Sequence, residues 1–178
     1  MKRLVSLIVV GCLTIPAAAS AALKSGDAAP SFHTQASLAG KPYAFDLDTA
    51  LRSGPVVLYF FPAAFTSGCT AEAHAFAEAS EAFKAQGASL IGVTSGNIDR
   101  VQEFSVSECR NKFAVAADPG AKIARSYKAV LGPMSMSDRT SYVITPDHKI
   151  AYVYSALRPD DHVKNTLDAV KAWRRANP

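Results

Sequence analysis

An α/β fold, with a central mixed β-sheet flanked by helices, is what this chain of 178 residues predicts. Two observations carry it. Short, continuous apolar runs, Val56–Phe61 and Ala88–Thr94, each lead into a helically patterned segment, as parallel strands buried on both faces do. Near the C-terminus two β-rich runs, Arg139–Ile144 and Lys149–Tyr154, flank the hairpin signal Thr145-Pro146-Asp147-His148, and a final helix follows. Strands that alternate with helices and close on a hairpin place helices on both faces of the sheet.

The N-terminus reads as a targeting segment. Lys2 and Arg3 form a charged start, Leu4 to Ile15 an apolar stretch, and Ala19-Ser20-Ala21 a small-residue cleavage site. Residues 1–21 are therefore expected to be a signal peptide removed after Ala21, with export to the periplasm. The apolar stretch is too short to span a bilayer as an uncleaved anchor. The Val9-Val10-Gly11-Cys12 box leaves lipid attachment at Cys12 as an alternative. Residues 22–178 are expected to form a single domain, since no repeat or long linker divides them. Without Lys2 and Arg3 the chain is mildly basic and has no run of like charges, which gives no argument for nucleic acid or for a membrane after cleavage.

Within that domain, Phe32 to Gly54 supplies an N-terminal hairpin or strand and a short helical turn. Val56–Phe61 is the first buried strand, and Thr70 to Gln86, rich in Ala and Glu and stopped by Gly87, is the helix after it. Ala88–Thr94 is the second buried strand, and a helix capped by Ser95 or Asn97 is expected to run to about Lys112. Phe113–Ala117 is a short strand ended by Asp118-Pro119-Gly120, and Ala121–Tyr127 a short helix. The last helix, from about Pro159 to Arg174, opens with Asp160 and Asp161 and finishes with Lys171, Arg174 and Arg175, matching the helix dipole at both ends.

Chemistry is expected at Cys69. Cys12 leaves with the signal, so Cys69 and Cys109 remain, and in an exported chain such a pair can be a plain structural staple. Cys69, however, sits where a buried strand turns into a helix. Unpaired backbone N–H groups and the positive end of the helix dipole there favour thiolate, the reactive form. His33, His74, His148 and His162 are scattered without metal-ligand spacing, and there is no glycine-rich phosphate loop. No metal or other cofactor is expected. His74 lies five residues beyond Cys69, rotated about 140° from it along a helix, and is expected to be a solvated helix histidine.

The spacing Pro62-x-x-x-Thr66-x-x-Cys69, within Phe60 to Ala73, resembles the peroxidatic motif of the peroxiredoxins, in particular the bacterioferritin-comigratory or peroxiredoxin Q branch. The resemblance runs from about Leu23 to the C-terminus and takes in Gly26–Phe32, the Ala117-Asp118-Pro119-Gly120 turn and Asp138–Ile144. It implies a thioredoxin fold with the N-terminal extension typical of peroxiredoxins. It also implies a thiol-dependent peroxidase acting on hydrogen peroxide and organic hydroperoxides. By the same resemblance Cys69 attacks the peroxide, Thr66 hydrogen-bonds and orients it, and Pro62 shields the sulfur from bulk water. Arg139 would stabilise the thiolate and the developing charge, a task suited to a fixed guanidinium fork. Glu72 shares a helix face with Cys69 and is expected to hold Arg139 in place.

A sulfenic acid formed on Cys69 must be resolved or be over-oxidised. Many members of this branch carry the resolving cysteine five residues after the peroxidatic one, and here that position is His74, a departure. A second subgroup is similar in carrying it near the end of the following helix, where this chain has Cys109. That implies an intramolecular Cys69–Cys109 disulfide, reduced by a thioredoxin-like or other thiol partner, in a monomer. Two thiols on separate helices are expected to lie beyond disulfide reach, a Cα separation of about 7 Å, so local unwinding around both is expected on oxidation. Three alternatives stay open. Cys109 could be an inert buried thiol, or Cys69 alone could serve a one-cysteine peroxidase or redox sensor. The third is a thiol–disulfide oxidoreductase on the same fold, an activity usually built on Cys-x-x-Cys, where Ser67-Gly68-Cys69 offers one thiol.

Overall fold

The computed structural model describes residues 22–132 and 134–178; the signal segment 1–21, with Cys12 and the cleavage point after Ala21, lies outside the described residues. The chain runs β1 (His33–Leu38), β2 (Lys41–Asp46), α1 (Leu47–Leu51), β3 (Val56–Ala63), α2 (Ser67–Ala85), β4 (Ser89–Gly96), α3 (Val101–Ser107), β5 (Ala114–Ala117), α4 (Lys122–Ser126), β6 (Thr140–Ile144), β7 (Ile150–Ser155) and α5 (His162–Ala176). The seven strands form one sheet in the order β2-β1-β5-β4-β3-β6-β7. β3 pairs parallel with β4 and antiparallel with β6, so the sheet is mixed, as expected.

The continuous apolar run of β3 is explained by its central place. Val56, Leu58 and Phe60 enter one buried cluster, and Val57, Tyr59 and Phe61 enter a second on the opposite face. The second cluster seats α2, which carries Cys69, and α3, which leads toward Cys109. Tyr59 stacks on Phe76 of α2 with ring centroids 4.4 Å apart, and Phe61 stacks on Phe104 of α3 at 5.4 Å. Both α2 and α3 are thus fixed by consecutive same-face residues of one strand.

Three element boundaries differ from expectation. α2 starts at Ser67 rather than Thr70, which puts Cys69 inside the first turn. The helix after β4 is shorter: a 3₁₀ turn over Ile98–Arg100 leads into α3, which ends at Ser107. Asn97 does not cap it, because its backbone is left-handed (φ 52°) and its side-chain amide donates to the Ala64 carbonyl at 2.7 Å. Beyond α3 the chain must reverse into β5, and it does so with Arg110 and Asn111 both left-handed, at φ 51° and 60°. Non-glycine residues in that region cost of order 1 kcal/mol each and need tertiary support. Cys109 therefore sits in a turn past α3 rather than on the helix. Finally, α5 opens at His162, with Asp160 and Asp161 outside its first turn.

One close approach sets the packing of the sheet against Tyr59. A Cβ on Gly92 would lie 2.7 Å from Tyr59 Cζ, inside any real contact, and the stacked ring has no room to retreat. Gly92→Ala is expected to lower stability by about 1–3 kcal/mol through overpacking, read as a fall in the urea midpoint at unchanged m-value.

Candidate active site

Cys69 is buried in the first turn of α2, at the end of β3. The turn between them is held by β4 and by the loop before β6. Ala64 N–H donates to the Gly96 carbonyl at 3.2 Å, Asn97 donates to the Ala64 carbonyl, and Ser137 Oγ donates to the Phe61 carbonyl at 3.0 Å. Phe65 adopts φ 64°, with the Arg100 guanidinium 3.7 Å above its ring. Pro62 is half-buried, and its carbonyl accepts from Thr94 Oγ1 at 3.2 Å. Thr66 is exposed at the N-cap position but caps nothing; its hydroxyl donates to the Ala63 carbonyl at 3.1 Å, which leaves the oxygen free to accept.

Arg139, immediately before β6, reaches across to this turn and is 5% exposed. Its Nη2 donates to Cys69 Sγ at 3.5 Å, its Nε donates to the Leu157 carbonyl at 2.8 Å, and its Nη1 donates to Glu72 Oε2. The three contacts come from the start of α2, the loop after β7 and the next turn of α2. Their joint geometry gives the guanidinium one orientation, with a donor aimed at sulfur. Glu72 is fully buried. Burial pushes its carboxyl up, to about 8, while Arg139 pulls the other way.

Cys109 is buried and unbridged, as is Cys69, and both belong to the cluster that holds Tyr59. Burial pushes the Cys109 thiol far up, with Glu108 adding to it, so in this state Cys109 is a thiol. The turn around it is fastened to α2 by three side-chain pairs. His74 Nε2 lies 2.8 Å from Glu108, Arg110 lies 3.2 Å from Glu78, and Lys112 lies 3.4 Å from Glu81. His74 is therefore half-buried and paired, not a solvated helix residue. Of the expected site residues, Arg139 contacts both Cys69 and Glu72, Pro62 and Thr66 frame the same turn, and Cys109 lies on a neighbouring segment.

Sequence reasoning passed over His162 and Ser141. Both are buried behind Glu72, with Ser141 Oγ 2.8 Å from His162 Nδ1. Arg139 and Ser141 are two residues apart at the head of a strand, hence on one face, which was the available signal. His162 gave none, because it is brought in from the start of α5.

Comparison with known proteins agrees with this fold. The AhpC/TSA family profile matches residues 25–153. Chloroplastic peroxiredoxin Q of Arabidopsis thaliana is 32% identical over 155 residues, which span 85% of this chain and 69% of that protein. The rice (Oryza sativa subsp. japonica) chloroplastic peroxiredoxin Q is 29% identical over 152 residues, 84% of this chain and 68% of the other. Among solved structures, peroxidoxin BcpB from Mycobacterium tuberculosis aligns with a TM-score of 0.74 at 28% identity, covering 84% of this chain and 97% of that one. The reduced 2-Cys peroxiredoxin of Plasmodium vivax shares the fold, with a TM-score of 0.76 at 20% identity over 86% of this chain and 98% of its own. With the buried Cys69 turn, the buried guanidinium and the thioredoxin-fold sheet in place, the chain belongs to the AhpC/TSA family and is a peroxiredoxin, a thiol-dependent peroxidase.

Proposed function

We propose that Cys69 is the peroxidatic cysteine and Cys109 the resolving one. The observation that carries this is the Arg139 guanidinium, tied on two sides and presenting its remaining donor to Cys69 Sγ at 3.5 Å. The Cys69 thiolate attacks the nearer peroxide oxygen, forming S–O as O–O breaks, and the leaving oxygen departs as water or alcohol after taking a proton. Charge moves from sulfur to the leaving oxygen, and a fixed donor beside sulfur stabilises both ends of that shift. The Thr66 hydroxyl oxygen accepts the peroxide hydrogen and orients it, and Pro62 keeps bulk water from the sulfur.

Cys109 then attacks the Cys69 sulfenic acid, forming the S–S bond and releasing water. An outside thiol partner of the thioredoxin type reduces the disulfide. Burial of the Cys109 thiol and the three side-chain pairs that fasten its turn support a reaction that waits for this turn to detach from α2. Release also relaxes the left-handed Arg110 and Asn111. Export to the periplasm is supported by the pattern of residues 1–21, and a monomer is proposed as the working unit.

One equivalent of hydrogen peroxide added to the reduced protein is expected to remove two hydrogens and yield a Cys69–Cys109 cross-linked peptide in a non-reducing map. Oxygen retained on Cys69 with Cys109 free would instead mean a one-cysteine enzyme. Arg139→Lys keeps the charge but loses the fork, and the second-order rate of Cys69 oxidation is expected to fall about 100-fold, measured by quenched-flow mass spectrometry. The fastening is tested by Glu78→Lys with Glu81→Lys. Exposed pairs are each worth about 0.2–1 kcal/mol, so disulfide formation should accelerate about threefold or more while Cys69 oxidation is unchanged. Adding Arg110→Glu and Lys112→Glu should restore the original rate.

A further inference from the structure

Behind the guanidinium lies a second buried layer. Glu72 binds Arg139 through Oε2, while its Oε1 has no hydrogen bond and faces His162 Nδ1 at 3.5 Å. Both side chains are 0% exposed. His162 Nε2 lies 3.0 Å from the Ala156 carbonyl oxygen, which can only accept, so Nε2 carries a hydrogen. Nδ1 then meets two oxygens, Ser141 Oγ at 2.8 Å and Glu72 Oε1. In the neutral ring Nδ1 is a lone pair, and the Ser141 hydroxyl can donate to it. A Glu72 carboxylate aimed at the same lone pair would set acceptor against acceptor in a site closed to water. One proton between Oε1 and Nδ1 removes that conflict.

We propose that His162 is a positioning residue of the peroxidatic site: it shares one proton with Glu72, and this fixes Glu72 Oε2 on Arg139 and so the guanidinium on the Cys69 sulfur, given the roles of Cys69 and Arg139 proposed above. Charge balance agrees. Arg139 is positive and a Cys69 thiolate negative, so an ionised Glu72 beside a neutral His162 would leave an uncompensated negative charge next to the nucleophile. The shared proton makes the cluster neutral. Burial favours the proton on Glu72, raising the carboxyl to about 8 and lowering His162.

The other groups packed around the pair are accounted for. From β7, Tyr154 meets the imidazole edge-on at 4.7 Å. From β3, the Tyr59 phenol stays neutral, pushed well above its ordinary range by burial. Asp161 precedes the ring at the head of α5, and Arg158 in the preceding loop is engaged with Asp160 at 3.0 Å. Because Glu72 is raised, the shared proton is present below about pH 8 and lost above it. Its loss puts negative charge beside the thiolate, and Cys69 oxidation should decline on the alkaline side.

The test is ring-¹⁵N NMR of the reduced full chain labelled at histidine, with His33, His74 and His148 assigned by single Gln replacements. His162 is expected to stay in the Nε2–H form throughout, with a step in its Nδ1 shift near pH 8. A ring that titrates at the ordinary value of about 6.5, or an Nδ1–H tautomer, would overturn the proposal. Kinetics give the second readout. His162→Gln donates a fixed, non-titrating hydrogen that keeps Glu72 ionised, so it should show at neutral pH the lowered rate of Cys69 oxidation that the parent reaches only in the alkaline range, with no further decline. His162→Phe should slow that step about tenfold. A His162→Phe enzyme with the parent rate and pH profile would also overturn it. If Cys69→Ser still reduces peroxide, the assignment of Cys69 fails instead, and the NMR result alone judges the shared proton.

Discussion

A guanidinium taken out of water must be satisfied on every side, and the Cys69 side of this molecule is built around that constraint. Arg139 joins four parts of the chain: the first two turns of α2 through Cys69 and Glu72, the head of β6, the loop after β7 through the Leu157 carbonyl, and, by way of Glu72, the start of α5. Removing one partner from a buried charge pair costs about 3–5 kcal/mol, because the other charge is stranded. The same contacts that prevent that loss leave one donor pointing at sulfur. Holding the fold together and aiming the donor are thus one interaction, and the sequence-distant residues Cys69, Arg139 and His162 are committed to each other by it.

The segment bearing Cys109 is held by weaker means. Its two ion pairs with α2, Arg110–Glu78 and Lys112–Glu81, are largely exposed, and pairs of that kind are worth about 0.2–1 kcal/mol each. Arg110 and Asn111 add left-handed backbone that favours release. On these magnitudes the Cys109 turn gives way before the start of α2 does, so the opening that the proposed disulfide requires would fall on the Cys109 side. In the proposed cycle a rigid attacking thiolate and a releasable resolving thiol would suit the two steps, since the first needs a fixed electrostatic site and the second needs access.

Much of this was legible before any coordinates. The β3 run declared a strand buried on both faces, and the strand–turn–helix pattern placed Cys69 at a helix start. Glu72 followed from helix spacing, since three residues along α2 return to the same face. What could not be read were features set by tertiary reversal. The helix after β4 stops at Ser107 because the chain must turn into β5, and no glycine or proline marks the left-handed Arg110 and Asn111. Asn97 looked like a cap but is spent on the Ala64 carbonyl of the active-site turn. His162 looked like one of four scattered histidines because its partner Glu72 is ninety residues away, and only the docking of α5 brings them together.

The central claim is that, below about pH 8, Glu72 serves the chemistry by holding Arg139. The most direct measurement is a double-mutant cycle of Glu72→Ala and Arg139→Lys on the rate of Cys69 oxidation by hydrogen peroxide at neutral pH, with each variant's fold checked by circular dichroism. Strong coupling is predicted: once Arg139 is replaced, Glu72→Ala should have little further effect, so the double variant should react about as fast as Arg139→Lys alone. Additive losses would mean that the two residues act independently, and would contradict the account.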